Sequence, residues 1–223
     1  MTALNEIAKV VIRANRLKIK PEELKKYLER ENVNTYFNKK FPDALILEKR
    51  SNIFLTKSFK KGFFEVQDAS SQCVAYFTGV KPGMRVVDAC AGAGGKSLHL
   101  SALMENKGKI ISLDIKSNKL NELRKRAKRA NSFNIETKLI NNSKVIKKLH
   151  NSADIVLIDA PCSGIGVLKR NPDAKWKLSL DFYERTIIIQ KEILFKYSKM
   201  VKPGGLLIYC LLYTSDAADD IPR

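Results

Sequence analysis

The sequence predicts an open, mostly parallel α/β sheet that binds its ligands at the carboxyl ends of the strands, preceded by a small α+β unit. Three observations carry this. The stretch from Met84 to His99 reads MRVVDACAGAGGKSLH: a β-branched run ending on Asp88, a turn with Gly92, Gly94 and Gly95, then an apolar-periodic segment. That is strand, tight loop, helix, and such a loop brings backbone close to a ligand at a helix N-terminus. Further on, apolar runs alternate with helical patterns, and three of the runs end on an acid, at Asp88, Asp114 and Asp159. Alternation of this kind argues for parallel strands with covering helices. Before about Phe64 it is absent, and short apolar runs are separated by charged turns.

Composition narrows the function. The 223 residues, 44% of them hydrophobic, suffice for one ordinary domain and a smaller appendage. Forty-one Lys and Arg against 23 acids give a net charge of +18, which implies a polyanionic partner; the bland alternative is a solvated lysine-rich surface. No run of about 18 apolar residues and no opening signal peptide are present, so a cytoplasmic location is expected. Cys73, Cys90, Cys162 and Cys210 form no C-x-x-C pair, which predicts free thiols rather than a zinc site or a disulfide framework.

In chain order, AKVVIRANRLKIK reads as a strand, and Pro21 followed by EELKKYLER as a helix with proline and acids in its first turn. Short apolar runs follow at Ala44 to Leu47 and Ile53 to Leu55. Arg13, Arg16, Lys18 and Lys20 either contact phosphates or cover the outer face. Asp68 reads as the N-cap of a helix with an apolar face of Cys73, Val74 and Phe77, closed by Gly79. After the glycine turn, GKIISLD is a second strand ending on Asp114, nineteen residues beyond Gly95, where an acid accepts hydrogen bonds from ribose hydroxyls. Lys116 to Ala130 is a covering helix with Leu120, Leu123 and Ala127 on its stripe and cations elsewhere. Ile135 to Ile140 is a third strand, Val145 to Leu149 a short helical piece, and ADIVLIDA a fourth strand ending at Asp159. A core helix with Gln190, Ile193 and Leu194 then leads into VKPGG and a fifth strand. His99 and His150 have no partner pattern and read as structural or solvent-facing.

The motifs VVDACAGAGGK, SLD, LIDAPCSGIG, RNPDAKW and VKPGGLLIY, in this order, resemble the RNA cytosine carbon-5 methyltransferase family of the bacterial Sun/Fmu type, as do IRANRLK and FEVQDASSQ before them. The resemblance spans about residues 10 to 209. It implies a Rossmann-like fold dependent on S-adenosylmethionine, with residues 1–64 a basic RNA-binding subdomain and 65–209 the methyltransferase domain. Cys90, Ala91, Gly92, Ala93, Gly94, Gly95 and Lys96 would wrap the methionine end of the cofactor, Asp114 would hold its ribose, and Asp159 would face cofactor and cytosine. Asn142 stands where the family usually has an adenine-contacting acid. Arg170, Lys175 and Trp176 would position RNA by charge and stacking, although Trp176 serves equally as a packing anchor.

The same resemblance assigns two cysteines. Cys162, in DAPC, matches the one that assists product release. The nucleophile would fall at position 212, which here is Leu212, and Cys210 lies two residues early, about 6 to 7 Å short along a strand. Residues 210–219, CLLYTSDAAD, resemble the translation of a transposon-type sequencing adapter. The native sequence is therefore expected to stop near Tyr209, with 210–223 a non-native tail, a truncated start, and the final sheet hairpin missing. An exposed sheet edge and low stability would follow. The resemblance implies ribosomal RNA as substrate, with transfer RNA a second candidate, a monomer, and neither metal nor membrane. Three readings compete: a hydride-transferring dehydrogenase, which gives no reason for DAPC or the charge; a DNA cytosine methyltransferase attacking with Cys162; and a non-catalytic fragment that binds RNA and cofactor.

Overall fold

A computed structural model describes residues 8–162 and 179–211. The N-terminal unit is an antiparallel sheet of β1 (Val11–Ala14), β2 (Thr35–Phe37), β3 (Ala44–Leu47) and β4 (Phe64–Val66), in the order β2-β3-β1-β4. Ile12 pairs with Leu45 on one side and Val66 on the other, so β1 is central. Helix α1 (Pro21–Arg30) closes its core with Leu24 and Leu28 against Ile12, Leu45 and Phe64. Pro21 and the first-turn acids Glu22 and Glu23 start α1 where the sequence placed it.

Three details of this unit were not written in the sequence. Ile53–Leu55 is a single 3-10 turn ahead of the short helix α2 (Lys57–Lys60), and Thr56 caps α2 by accepting from the Phe59 amide. Strand β2 carried no recognisable pattern. Strand β4 pairs with β1 through Val66, so a boundary at residue 64 falls inside a strand.

Helix α3 (Ala69–Phe77) leads from this sheet to the second one. Its buried residues are Ser71, Gln72, Val74 and Ala75, whereas Phe77 is 77% exposed, contrary to expectation. The stripe is centred on Gln72 and Ala75, and Phe77 lies about 200° around the helix from Ala75.

The second sheet is wholly parallel: β5 (Arg85–Asp88), β6 (Lys109–Asp114), β7 (Ile135–Leu139), β8 (Ala153–Asp159) and β9 (Val201–Cys210), in the order β7-β6-β5-β8-β9. The chain steps outward through β6 and β7, then returns to the other side of β5 to lay down β8. That reversal opens a crevice at the carboxyl ends of β5 and β8. Helix α4 (Gly95–Leu103) follows β5, α5 (Ser117–Ala130) follows β6, and α6 (Ser143–Lys147) follows β7. Helix α4 buries every residue from Gly95 to Ala102.

Helix α7 (Leu180–Tyr197) crosses over from β8 to β9. Of the helix expected to be core, only Thr186 and Tyr197 are buried. Ile193 packs partly on the β8 cluster, Leu194 is partly exposed, and the half-buried Gln190 donates its amide to the Pro161 carbonyl. One narrow stripe of α7 meets the sheet, and the rest of its apolar surface faces outward.

Candidate active site: the cofactor cleft

The crevice is a cleft lined by Cys90, Ala91, Gly92, Ala93, Gly95 and Lys96 of the glycine loop together with Ser71, Asp88, Lys119 and Asp159, with Gly94 turned away from it. The loop is held from below. The Ala91 amide donates to the Leu113 carbonyl, the Gly94 amide to the Ala91 carbonyl, and the Gly92 amide to Asp114 Oδ2 at 2.8 Å. Gly94 adopts φ +87°, and a Cβ there would lie 2.4 Å from Leu123 of α5. This glycine is required both by its conformation and by the close approach of a helix. Above Gly92 no atom lies within 4 Å of where a Cβ would be, so the loop presents an open backbone to the cleft.

Asp88 is fully buried at the end of β5. Its Oδ2 accepts from Ser97 Oγ at 2.6 Å, Ser97 in turn meets Ser112 Oγ at 2.8 Å, and Oδ1 has no hydrogen-bond partner. Burial raises its carboxyl to about 6 against the help of Ser97, and the neighbouring Asp159 pushes the same way. The buried Lys96 ammonium donates to Asp159 Oδ2 at 2.6 Å, tying the first turn of α4 to the end of β8. Burial, reinforced by Asp88, Asp159 and Asp114, pushes the Cys90 thiol well up, so it stays a neutral thiol.

Asp114 stands at the end of β6 with both oxygens on backbone amides, Oδ2 on Gly92 and Oδ1 on Lys116 at 2.7 Å. Each oxygen keeps a second lone pair for another donor. Asn142 is the N-cap of α6, accepting from the Lys144 amide at 2.9 Å and donating to Asn141, and it does not line the cleft. Cys162 is half-buried, three residues beyond Asp159. Arg170, Lys175, Trp176 and Leu212 lie outside the described residues. Cys210 is 5% exposed, in register with Asp159, and packs with Val74, Val86 and Leu157.

Four contributors were missed in the sequence. Asp88 was noted only as a strand end, Ser71 only as part of SSQ, and Lys119 not at all. The fourth is Arg126, which is buried although the cations of α5 were expected outside. Its Nη1 donates to the Ala93 carbonyl at 3.0 Å and its Nε to Glu65 Oε2 of β4 at 3.1 Å. A signal was available, because Arg126 is three residues beyond Leu123 and borders the Leu120-Leu123-Ala127 stripe. Among the described residues no cluster of His, Cys, Asp or Glu could hold a metal ion, and no helix is long and apolar enough to cross a membrane.

Comparison with known proteins agrees with this architecture. Residues 76–216 match the family model described as 16S rRNA methyltransferase RsmB/F. The chain is 36% identical over 202 residues to a probable ribosomal RNA small subunit methyltransferase B of Bacillus subtilis, covering 90% of this chain and 45% of that protein. It is 30% identical over 199 residues to the ribosomal RNA small subunit methyltransferase B of Proteus mirabilis, covering 89% and 47%. The chain thus spans about half the length of the curated relatives it matches. Among solved structures, a methyltransferase homologue from Pyrococcus horikoshii superposes with TM-score 0.79 at 29% identity, over 93% of this chain and 66% of that one. NSun6 from the same organism, solved with SFG, shares the fold at TM-score 0.86 and 21% identity, over 97% and 79%. S-adenosylmethionine is the methyl donor of such enzymes, and this chain belongs to the RsmB/F family of 16S rRNA methyltransferases.

Proposed function

We propose that the chain is the cofactor-binding and catalytic part of an enzyme that methylates carbon 5 of cytosine in RNA, with small-subunit ribosomal RNA as substrate. The observation that carries this is the meeting, at one strand reversal, of an open glycine loop, an unpartnered buried oxygen on Asp88 and the Lys96–Asp159 pair beside Pro161-Cys162. The cleft suits S-adenosylmethionine: Asp88 Oδ1 is placed to accept from its ammonium, the loop from Cys90 to Lys96 to follow its methionine end, and Asp114 to take a ribose hydroxyl. Bound there, the cofactor supplies an electrophilic methyl group.

The chain's residues supply the rest. Carbon 5 of cytosine is too electron-poor to attack a methyl sulfonium, so a thiolate must first add to carbon 6. Asp159, fixed by Lys96, faces the cytosine edge, and Cys162 assists loss of the carbon 5 proton and release of the adduct. The attacking thiolate belongs at position 212, where this chain has leucine, and the buried Cys210 is poorly placed to replace it. The enzyme is proposed to act as a cytoplasmic monomer; transfer RNA is the alternative substrate.

The test is transfer of labelled methyl from S-adenosylmethionine to unmodified bacterial RNA, comparing the chain with its Leu212→Cys variant. Formation of 5-methylcytosine by the variant alone supports the reading. If the unaltered chain is active and Cys162→Ala abolishes it, Cys162 is the attacking thiol. Cofactor and RNA binding without turnover in either form would favour a non-catalytic role, for which Leu212 is the specific pointer.

A further inference from the structure

We propose that the seam between the N-terminal unit and helix α5, on the side of Tyr27, Lys61 and Lys128, is a docking surface for single-stranded RNA. This rests on the RNA-substrate reading above and adds where the strand lies outside the cleft. The two units meet tightly. Asn15 Nδ2 donates to the carbonyls of Gly62 and Ala130, at 2.9 and 2.7 Å. Gly62 lies so close to α5 that a Cβ there would be 2.1 Å from the Arg129 carbonyl oxygen. The turn bearing Lys60 and Lys61 is thereby fixed against the last turn of α5, which bears Lys128 and Arg129.

Like charges are crowded along this seam. Lys18 Nζ donates to the carbonyls of both Lys61 and Arg129, at 2.8 and 2.7 Å, and stays exposed. Partial burial and the charge of Arg129 lower its ammonium from the ordinary lysine range. Lys57, Lys60, Lys61, Lys125 and Lys128 are all exposed. The buried acid Glu65 is already occupied by Arg126 and Arg129, and Glu31 by Ser58.

Aromatic rings are interleaved with the cations. Tyr27 is 40% exposed and meets Phe63 edge to face at 5.5 Å. The Arg30 guanidinium lies 5.8 Å from the Tyr27 ring, Lys61 Nζ 5.7 Å from Phe63, and the Arg129 guanidinium 4.0 Å from Phe59. Cations spread over two units fit a phosphate polymer rather than a single small anion, and an exposed ring among them is what an unpaired base stacks on. From the end of α5 the helix leads back to Lys119 in the cofactor cleft, so a strand lying on the seam is aligned with the reacting edge.

The experiment measures binding of the whole 223-residue chain to a short fluorescein-labelled single-stranded RNA across a salt series. We expect the paired variant Lys61→Ala with Lys128→Ala to bind about tenfold more weakly, and its log K against log salt slope to be shallower by about 1.4. Tyr27→Ala should also lose about tenfold, with recovery in Tyr27→Phe. Unchanged binding of S-adenosylmethionine by each variant would show that the cleft is intact. The charge-matched pair Lys81→Ala with Lys107→Ala, at the opposite end of the parallel sheet, should bind RNA as the parent does. Equal losses in the two lysine pairs, or none in the seam variants, would overturn the docking surface while leaving the RNA reading in place. Failure of the parent chain to bind any RNA would overturn both.

Discussion

Replacing Asp88 by asparagine separates two effects of one buried carboxyl. Its proton is held up to about 6 in the fold, so its share of stability is present at low pH and is lost as pH rises from the ordinary carboxylate range through about 6. Asp88→Asn cannot titrate there. In urea unfolding it should gain on the parent by up to about 3 kcal/mol between pH 4 and 8. Cofactor affinity should move the other way. Only the ionised carboxylate is a strong acceptor for an ammonium, so calorimetry of S-adenosylmethionine binding should show affinity falling below about pH 6 in the parent. In Asp88→Asn it should be about tenfold weaker at pH 8. Gly94→Ala is a different failure: a left-handed φ of +87° and a collision with Leu123 should cost about 1 to 3 kcal/mol and lower the melting temperature.

At the scale of elements, the parallel strands, their terminal acids and the glycine turn were legible because each is written locally, as a β-branched run, a carboxylate and a sequence with little steric freedom. The same local rule placed α1 from its proline and acids. It missed β2, a three-residue strand made by pairing with β3, and it assigned Phe77 and Leu194 to a core they do not enter. Which stripe of a helix is buried depends on what packs against it, and neither the sheet's extent nor its neighbours are local. Arg126 shows the same limit in the opposite sense, since a cation in a helix rich in Lys and Arg reads as solvated until Glu65, 61 residues earlier, is brought to it. Arg126→Met should destabilise the chain by about 2 to 3 kcal/mol, because it strips the buried Glu65 of its buried cation and leaves it only the half-buried Arg129. It should also weaken cofactor binding by releasing the Ala93 carbonyl. Thermal unfolding with and without S-adenosylmethionine measures both.

Across the whole molecule, the contact between units is polar and pH-sensitive. Asp43, beside β3, accepts from Arg16 and from Tyr76 of α3, and lies 3.7 Å from His99 Nε2 of α4. Despite its own burial, these hydrogen bonds hold Asp43 down to about 2. Burial, with Arg13 adding to it, depresses His99 to about 4. His99 is therefore neutral in the fold, while an unfolded chain takes up a proton below its ordinary 6.5. Stability should fall by about 3 kcal/mol as pH drops from 6.5 to 4, a loss that a His99→Gln variant followed in urea would not share. The Asp43 share is lost only on further acidification, between its ordinary value and about 2.

The bridge from Glu65 through Arg126 to the Ala93 carbonyl has a consequence for recombination. Because one buried charge pair joins the first unit to the cofactor loop, an exchange of N-terminal units between two relatives inherits half of a matched pair. A hybrid whose donor lacks the acid at position 65 should fold its separate sheets yet present a slack cofactor loop. Chimeras of this family should therefore tolerate a crossover after β4 only when the donor of the first unit supplies an acid at position 65 and the recipient an arginine at position 126.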